Sequence, residues 1–223
     1  LFRSEMDERE NESYFFSFLF EANLHRDNPE LDPCLFPYIK LLFQKLSKNL
    51  SNENLCKASI IALELLLNQF SKYSDNMDLV LEAYEYILFF VVLNKNIPIT
   101  KNNHIFMKSL VKNAAEKNIQ LAWNLFDVLI TLQDFIYPFV LSYKFEDFAI
   151  FLFTEDKYYS FAVKFIDNFC DLERPKKIYQ NYNGILQKLM NYISGNKLNE
   201  TKTYLFSKML ACLVYKFSNT THI

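Results

Sequence analysis

The chain has 223 residues, 51% of them apolar and 22% charged, with a net charge of −2. A chain of this length buries roughly 70% of its unfolded surface, so it needs neither disulfide nor metal to fold, and its composition excludes disorder for all but the ends. A net charge so close to zero gives no electrostatic drive toward nucleic acid, and the only two glycines, Gly184 and Gly195, exclude the glycine-rich turns on which most nucleotide and cofactor sites are built.

Residues 1–10 are polar and read as a flexible N-terminal segment. A first helix is predicted from about Glu10 to Arg26. Its apolar residues cover more than one face, so it is expected to bury two surfaces. Asn28-Pro29 stops it. Asp32-Pro33, a capping side chain followed by proline, starts a second helix that runs to about Lys48. Ser51 is expected to cap a third, apolar nearly all round and therefore central, that ends near Phe70. A fourth spans about Asp78–Leu93. Thr100 is expected to cap a helix over about 101–115, and another covers about 119–133. Pro138 is expected to break the following segment. A short helix near 145–153 comes next, and Thr154 is expected to cap one that runs to Phe169. After the polar connection Asp171–Asn181, a helix over about 183–194 is expected to stop at Gly195 as a left-handed C-terminal cap. The last runs from Asn199 to Phe217, and residues 218–223 form a tail. The fold class is therefore all-α, about ten helices in one domain over residues 11–217. A HEAT- or armadillo-type solenoid is the alternative, although no repeated signature residues support it.

Charge is unevenly placed along the chain. Residues 1–30 carry eight acids against three bases, and residues 171–223 carry three acids against eight. The two ends would attract if the fold brought them together. The four cysteines, Cys34, Cys56, Cys170 and Cys212, are widely spaced among apolar neighbours. This suits reduced, mostly buried thiols in an intracellular protein. The longest apolar run, Tyr86–Leu93, is far short of the roughly 20 residues a spanning helix needs, so no membrane association is expected. The chain begins without Met, which is expected to mark a domain boundary.

No catalytic motif is present, and no enzyme activity is expected. The adjacent acids Glu146-Asp147 and Glu155-Asp156 stand near helix starts, where carboxylates favour the helix dipole. Arg174, Lys176 and Lys177, with Tyr179 and Tyr182 nearby, are the densest basic-aromatic patch. They read better as a solvated loop than as a nucleic-acid site, so no direct DNA binding is expected. His25 and Cys34 flank a short turn, Asp27–Asp32. They could contribute two ligands to a zinc ion shared with a partner chain, since zinc takes four. The same residues read equally as a helix-ending histidine and a buried thiol. Phe15, Phe16, Phe18 and Phe20 crowd one helix, which cannot easily hide all four. Either the core absorbs them or some face a second chain.

Two stretches resemble the TRF-homology domain of telomere-repeat-binding factors. One is the aromatic first helix ending in His25-Arg26-Asp27-Asn28. The other is Tyr182-Asn183, then Leu186, Lys188, Leu189, Tyr192 and Ile193, a short turn, and Phe206, Lys208 and Met209. The likeness covers about residues 12–217. It implies an all-helical domain that homodimerises through its first and closing helices and docks short peptides of other telomere proteins in the nucleus. The dimer or partner surface it implies comprises Tyr14, Phe15, Phe16, Phe18, Phe20, Leu24, Leu186, Leu189, Tyr192 and Phe206.

Overall fold

The computed structural model describes residues 17–19, 21, 32–51, 53–95, 97–142, 144–173 and 182–217. Among the described residues the chain is all-α, with ten bounded α-helices besides the helical stretch at Ser17–Leu19, one 3-10 turn and no strand. The contacts cluster into two compact units, Leu1–Thr100 and Lys101–Ile223, each with its own core.

The N-terminal unit contains α1 (Asp32–Lys48), α2 (Glu53–Tyr73) and α3 (Met77–Asn94). Helix α1 buries Leu35, Ile39, Leu42 and Leu46, which recur every three to four residues and so share one face. Helix α2 packs against both neighbours, and Leu55, Ala62, Leu63, Leu65, Leu66, Leu67 and Phe70 are all buried. It is the central helix its all-round apolarity predicts. Ahead of α1, Ser17–Leu19 are helical; Leu19 is buried and Phe18 stacks on Tyr38, ring centroids 3.7 Å apart. One polar tie crosses the apolar packing. The Asn94 amide donates to Ser59 Oγ at 2.7 Å, and Ser59 donates to the Cys56 carbonyl at 2.6 Å. The buried hydroxyl is thereby satisfied as both donor and acceptor.

The C-terminal unit runs α4 (Asn103–Glu116), α5 (Gln120–Thr131), α6 (Gln133–Ser142), α7 (Phe145–Phe151), a 3-10 turn (Asp156–Tyr158), α8 (Tyr159–Asp171), α9 (Tyr182–Gly195) and α10 (Glu200–Phe217). Helix α4 packs on α5 and α7, α8 lies against α5 and α10, and α9 lies against α7 and α10. The core is a chain of rings. Phe139 meets Phe145 and Phe148, Phe165 meets both of these and Phe169, and Phe169 stacks on Phe217. Such edge-on and offset contacts add to the area these side chains bury. Helices α5 and α6 meet at Leu132 with an angle of 86°. No single helix among the described residues is long and apolar enough to cross a membrane.

Several local signals resolve differently from their sequence reading. Pro138 lies inside α6 rather than breaking it. It cannot donate to the carbonyl of the exposed Asp134, a loss of roughly 3 kcal/mol. Burial of Phe135, Ile136, Tyr137, Phe139, Val140 and Leu141, each contributing about 2 kcal/mol, outweighs it. Ser51 donates to Asn49 Oδ1 at 2.9 Å, two residues before α2 begins. Helix α3 begins at Met77, within a residue of its expected start, and Asn76 caps it, its Oδ1 accepting from the backbone N–H groups of Asp78 and Leu79. Thr100 is buried and α4 begins three residues beyond it. Thr154 donates to the Phe151 carbonyl at 2.7 Å, which closes α7 and does not open α8. Gly195 is the last helical residue of α9 and has no positive φ. The Asn196 amide finishes that helix by donating to the Tyr192 carbonyl at 2.8 Å.

The left-handed positions fall instead on Lys95 and Lys144, both at φ 50°, and on Asn118 at φ 59°. A lysine pays roughly 1 kcal/mol to sit there, which glycine would not. Lys95→Gly, at the C-terminal end of α3, is expected to raise stability by about 1 kcal/mol in a urea titration. A loss of stability would show that the Lys95 side chain makes a compensating contact.

Candidate interaction surface

The closing pair α9–α10 has a buried side and an open side. Helix α10 buries Leu205, Phe206, Met209, Leu213 and Phe217. At 100° per residue, Tyr204, Ala211, Val214 and Tyr215 fall on the opposite face. Tyr204 is 70% exposed, Tyr215 71% and Val214 45%, while Met190 on α9 is 52% exposed. The two tyrosines stand eleven residues apart, about 16 Å along the axis, so the open face spans three helical turns. Exposed tyrosine combines a large apolar ring with a polar tip at little entropic cost, the combination that interface anchors favour.

Charge fixes these helices in place. Lys188 of α9 reaches Asp147 at 2.5 Å and Glu146 at 3.2 Å in the first turn of α7. One long ammonium thereby gathers two adjacent acids that diverge from the helix axis. Burial raises the Asp147 pKa, but the Lys188 hydrogen bond and the charges of Lys188, Lys108 and Lys144 more than reverse this and hold it below its ordinary value. Lys108 and Lys112, one turn apart on α4, lie over the ring of Phe151 at 5.8 and 5.9 Å. Burial and the neighbouring Lys112, Lys188 and Lys144 push the Lys108 pKa down, against the opposing pull of Asp147. Burial first, then Lys108, lowers the His104 pKa, against the opposing pull of the Lys101 carbonyl and Asp147. The group gathers Lys108, Lys144 and Lys188 around the carboxylates of Glu146 and Asp147.

A hollow of about 400 Å³ opens beside the α4–α5 turn. Ala114, Asn118, Ile119, Gln120, Trp123, Ser160 and Phe161 line it. Phe161 meets Trp123 edge-on at 4.6 Å, and Lys164 lies over the indole at 4.8 Å while pairing with Asp127 at 2.5 Å. An aromatic wall with amides and a hydroxyl at its rim can seat one apolar or planar side chain and orient it.

At the C-terminal end of α4, Glu116 accepts a hydrogen bond from the buried Tyr158 hydroxyl and pairs with Lys157 at 3.0 Å. The Tyr158 contact, then the Lys157 contact, hold the Glu116 carboxyl below its ordinary 4.5. Its stabilising contribution is complete above that value and is lost as pH falls through the depressed folded pKa. Glu116→Gln is therefore expected to flatten the drop in melting temperature between about pH 5 and about pH 3. An unchanged acid limb in thermal scans would assign acid sensitivity to other carboxylates.

The residues implied by the family resemblance separate on this structure. Leu189 and Phe206 are fully buried inside the C-terminal unit, so their side chains belong to the core and not to an accessible partner surface. Their apolar character reflects packing of α9 against α7 and α10. Tyr192 is half-buried and meets Phe206 at 5.6 Å, and Leu186 is half-buried. Phe18 is half-buried against Tyr38 of its own unit. Tyr14, Phe15, Phe16, Phe20 and Leu24 lie outside the described residues, as does His25 of the expected zinc pair. Cys34 falls in α1, with its side chain outside the description. Among the described residues no three His, Cys, Asp or Glu side chains gather as metal ligands. Arg174, Lys176, Lys177 and Tyr179 also lie outside the described residues, and Tyr182 is buried. The exposed Met190, Tyr204, Val214 and Tyr215 were not singled out from sequence, although the spacing of the last three opposite Leu205, Met209 and Leu213 carries the signal.

Comparison with models of protein families, with curated proteins and with solved structures finds no match.

Proposed function

We propose that the chain is a non-catalytic helical adaptor that homodimerises and holds short segments of partner proteins. The observation that carries this reading is the open face of α10, on which Tyr204 and Tyr215 stand more than two-thirds exposed at matched helical spacing. The hollow beside Trp123 supports it, since it can take one anchoring side chain of a bound segment. The resemblance of the first and closing helices to the TRF-homology domain suggests the setting: a telomere-protecting, shelterin-type complex in the nucleus, with this chain as a bridging subunit. That step rests on likeness of helix order and local runs. In the same setting, a zinc ion shared with a partner would take His25 and Cys34 as two of its ligands.

Affinity capture of the tagged chain from cells, with the partners identified by mass spectrometry, tests the reading. Telomere proteins among them support it. Turnover of a small substrate by pure material, lost on changing one polar side chain, overturns it.

A further inference from the structure

Helices α8 and α10 pack side by side in the same direction, and their contacts fix a register. Asp167 meets Lys208 at 2.8 Å. Further along, Phe169 stacks on Phe217, and Lys216 donates to the Leu172 carbonyl. Cys170 lies one turn beyond Asp167, and Cys212 lies one turn beyond Lys208. On each helix the cysteine shares its flank with the ion-paired residue, since residues three or four apart sit above one another. The ion pair therefore sets the two thiols face to face. Cys212 is the side chain that acts most strongly on Cys170 after burial itself, and both thiols are free and half-buried, within reach of a small solute.

We propose that Cys170 and Cys212 form a disulfide site, closed by exchange with a small-molecule disulfide and reopened by a thiol. One protein thiolate attacks a sulfur of the small disulfide, forms a mixed disulfide and releases one small thiol. The second protein thiolate attacks the protein sulfur of that mixed bond and releases the other. Two protein thiols lose two electrons, one small disulfide gains them, and the two protons leave on the released thiols. The bond joins positions 42 apart in sequence and staples α8 to α10 across α9. Burial above all, then the Cys212 side chain, pushes the Cys170 thiol up to about 12, so little of it is thiolate near neutral pH and exchange at Cys170 is slow.

The test treats the full chain with oxidised glutathione and follows intact mass, a non-reducing peptide map and the melting temperature. The expected product has lost about 2 Da with no glutathione attached, contains a Cys170–Cys212 cross-linked peptide, and melts roughly 5–10 °C higher until reduced. Cys170→Ser and Cys212→Ser, each in a Cys34→Ser, Cys56→Ser background, should show no such rise and retain one glutathione on the remaining thiol. The background alone should behave as the natural chain. Retention of glutathione at both Cys170 and Cys212, or cross-links only between chains, would overturn the proposal.

Discussion

Phe165→Ala is expected to cost about 4 kcal/mol of stability, the largest effect of any single change considered. Phe165 is fully exposed to its neighbours and not at all to solvent, its ring lying 5.8 Å from Phe145, 5.5 Å from Phe148 and 6.4 Å from Phe169. Truncation removes the transfer energy of the ring and opens a cavity that rigid aromatic walls cannot close. It also removes three ring contacts worth roughly 0.5–1.5 kcal/mol each beyond area. At this chain length the melting temperature should fall by roughly 10 °C. Phe165→Leu, which keeps most of the volume, should cost less than half as much. Urea titration of both variants decides the matter. A cost below about 1 kcal/mol for alanine would mean that this core is loosely packed.

The double change Tyr204→Glu, Tyr215→Glu is expected to weaken association with a second copy or a protein partner by at least about 100-fold, while the melting temperature stays within about 2 °C. Exposed side chains contribute little to folding, so the two readouts separate. Charge on both anchors leaves carboxylates that any apolar partner surface would have to desolvate. Sedimentation of the pure chain reports self-association, and co-purification reports partners. Undiminished binding by the double variant would place the interface elsewhere, with the first helix the next surface to examine.

The helices themselves were legible because burial selects a 3.6-residue period, which α1 shows plainly through Leu35, Ile39, Leu42 and Leu46, while α2, buried on several sides, shows a near-continuous apolar stretch instead. Punctuation was less legible. A hydroxyl near a helix boundary can serve the helix before it or the one after it, and Thr154 serves the former. Proline is excluded from helix interiors only when nothing larger opposes it, and the buried face of α6 does. The candidate surface was legible only as helices. Helix α9 carries apolar residues on several sides, which hides the inward Leu189 beside the outward Met190, whereas on α10 only the spacing opposite Leu205, Met209 and Leu213 sets Tyr204, Val214 and Tyr215 apart. Pairings across 41 or 42 residues, Asp167 with Lys208 or Cys170 with Cys212, have no local trace at all.

The only tryptophan of the chain, Trp123, forms part of the wall of the hollow beside the α4–α5 turn. Indole emission excited apart from the fourteen tyrosines therefore comes from that one place. Any molecule that settles there displaces solvent from the ring and changes the surroundings of an indole that already lies under the Lys164 ammonium. The protein thus carries an intrinsic fluorescent probe of occupancy, and candidate segments can be screened by titration without attaching a dye.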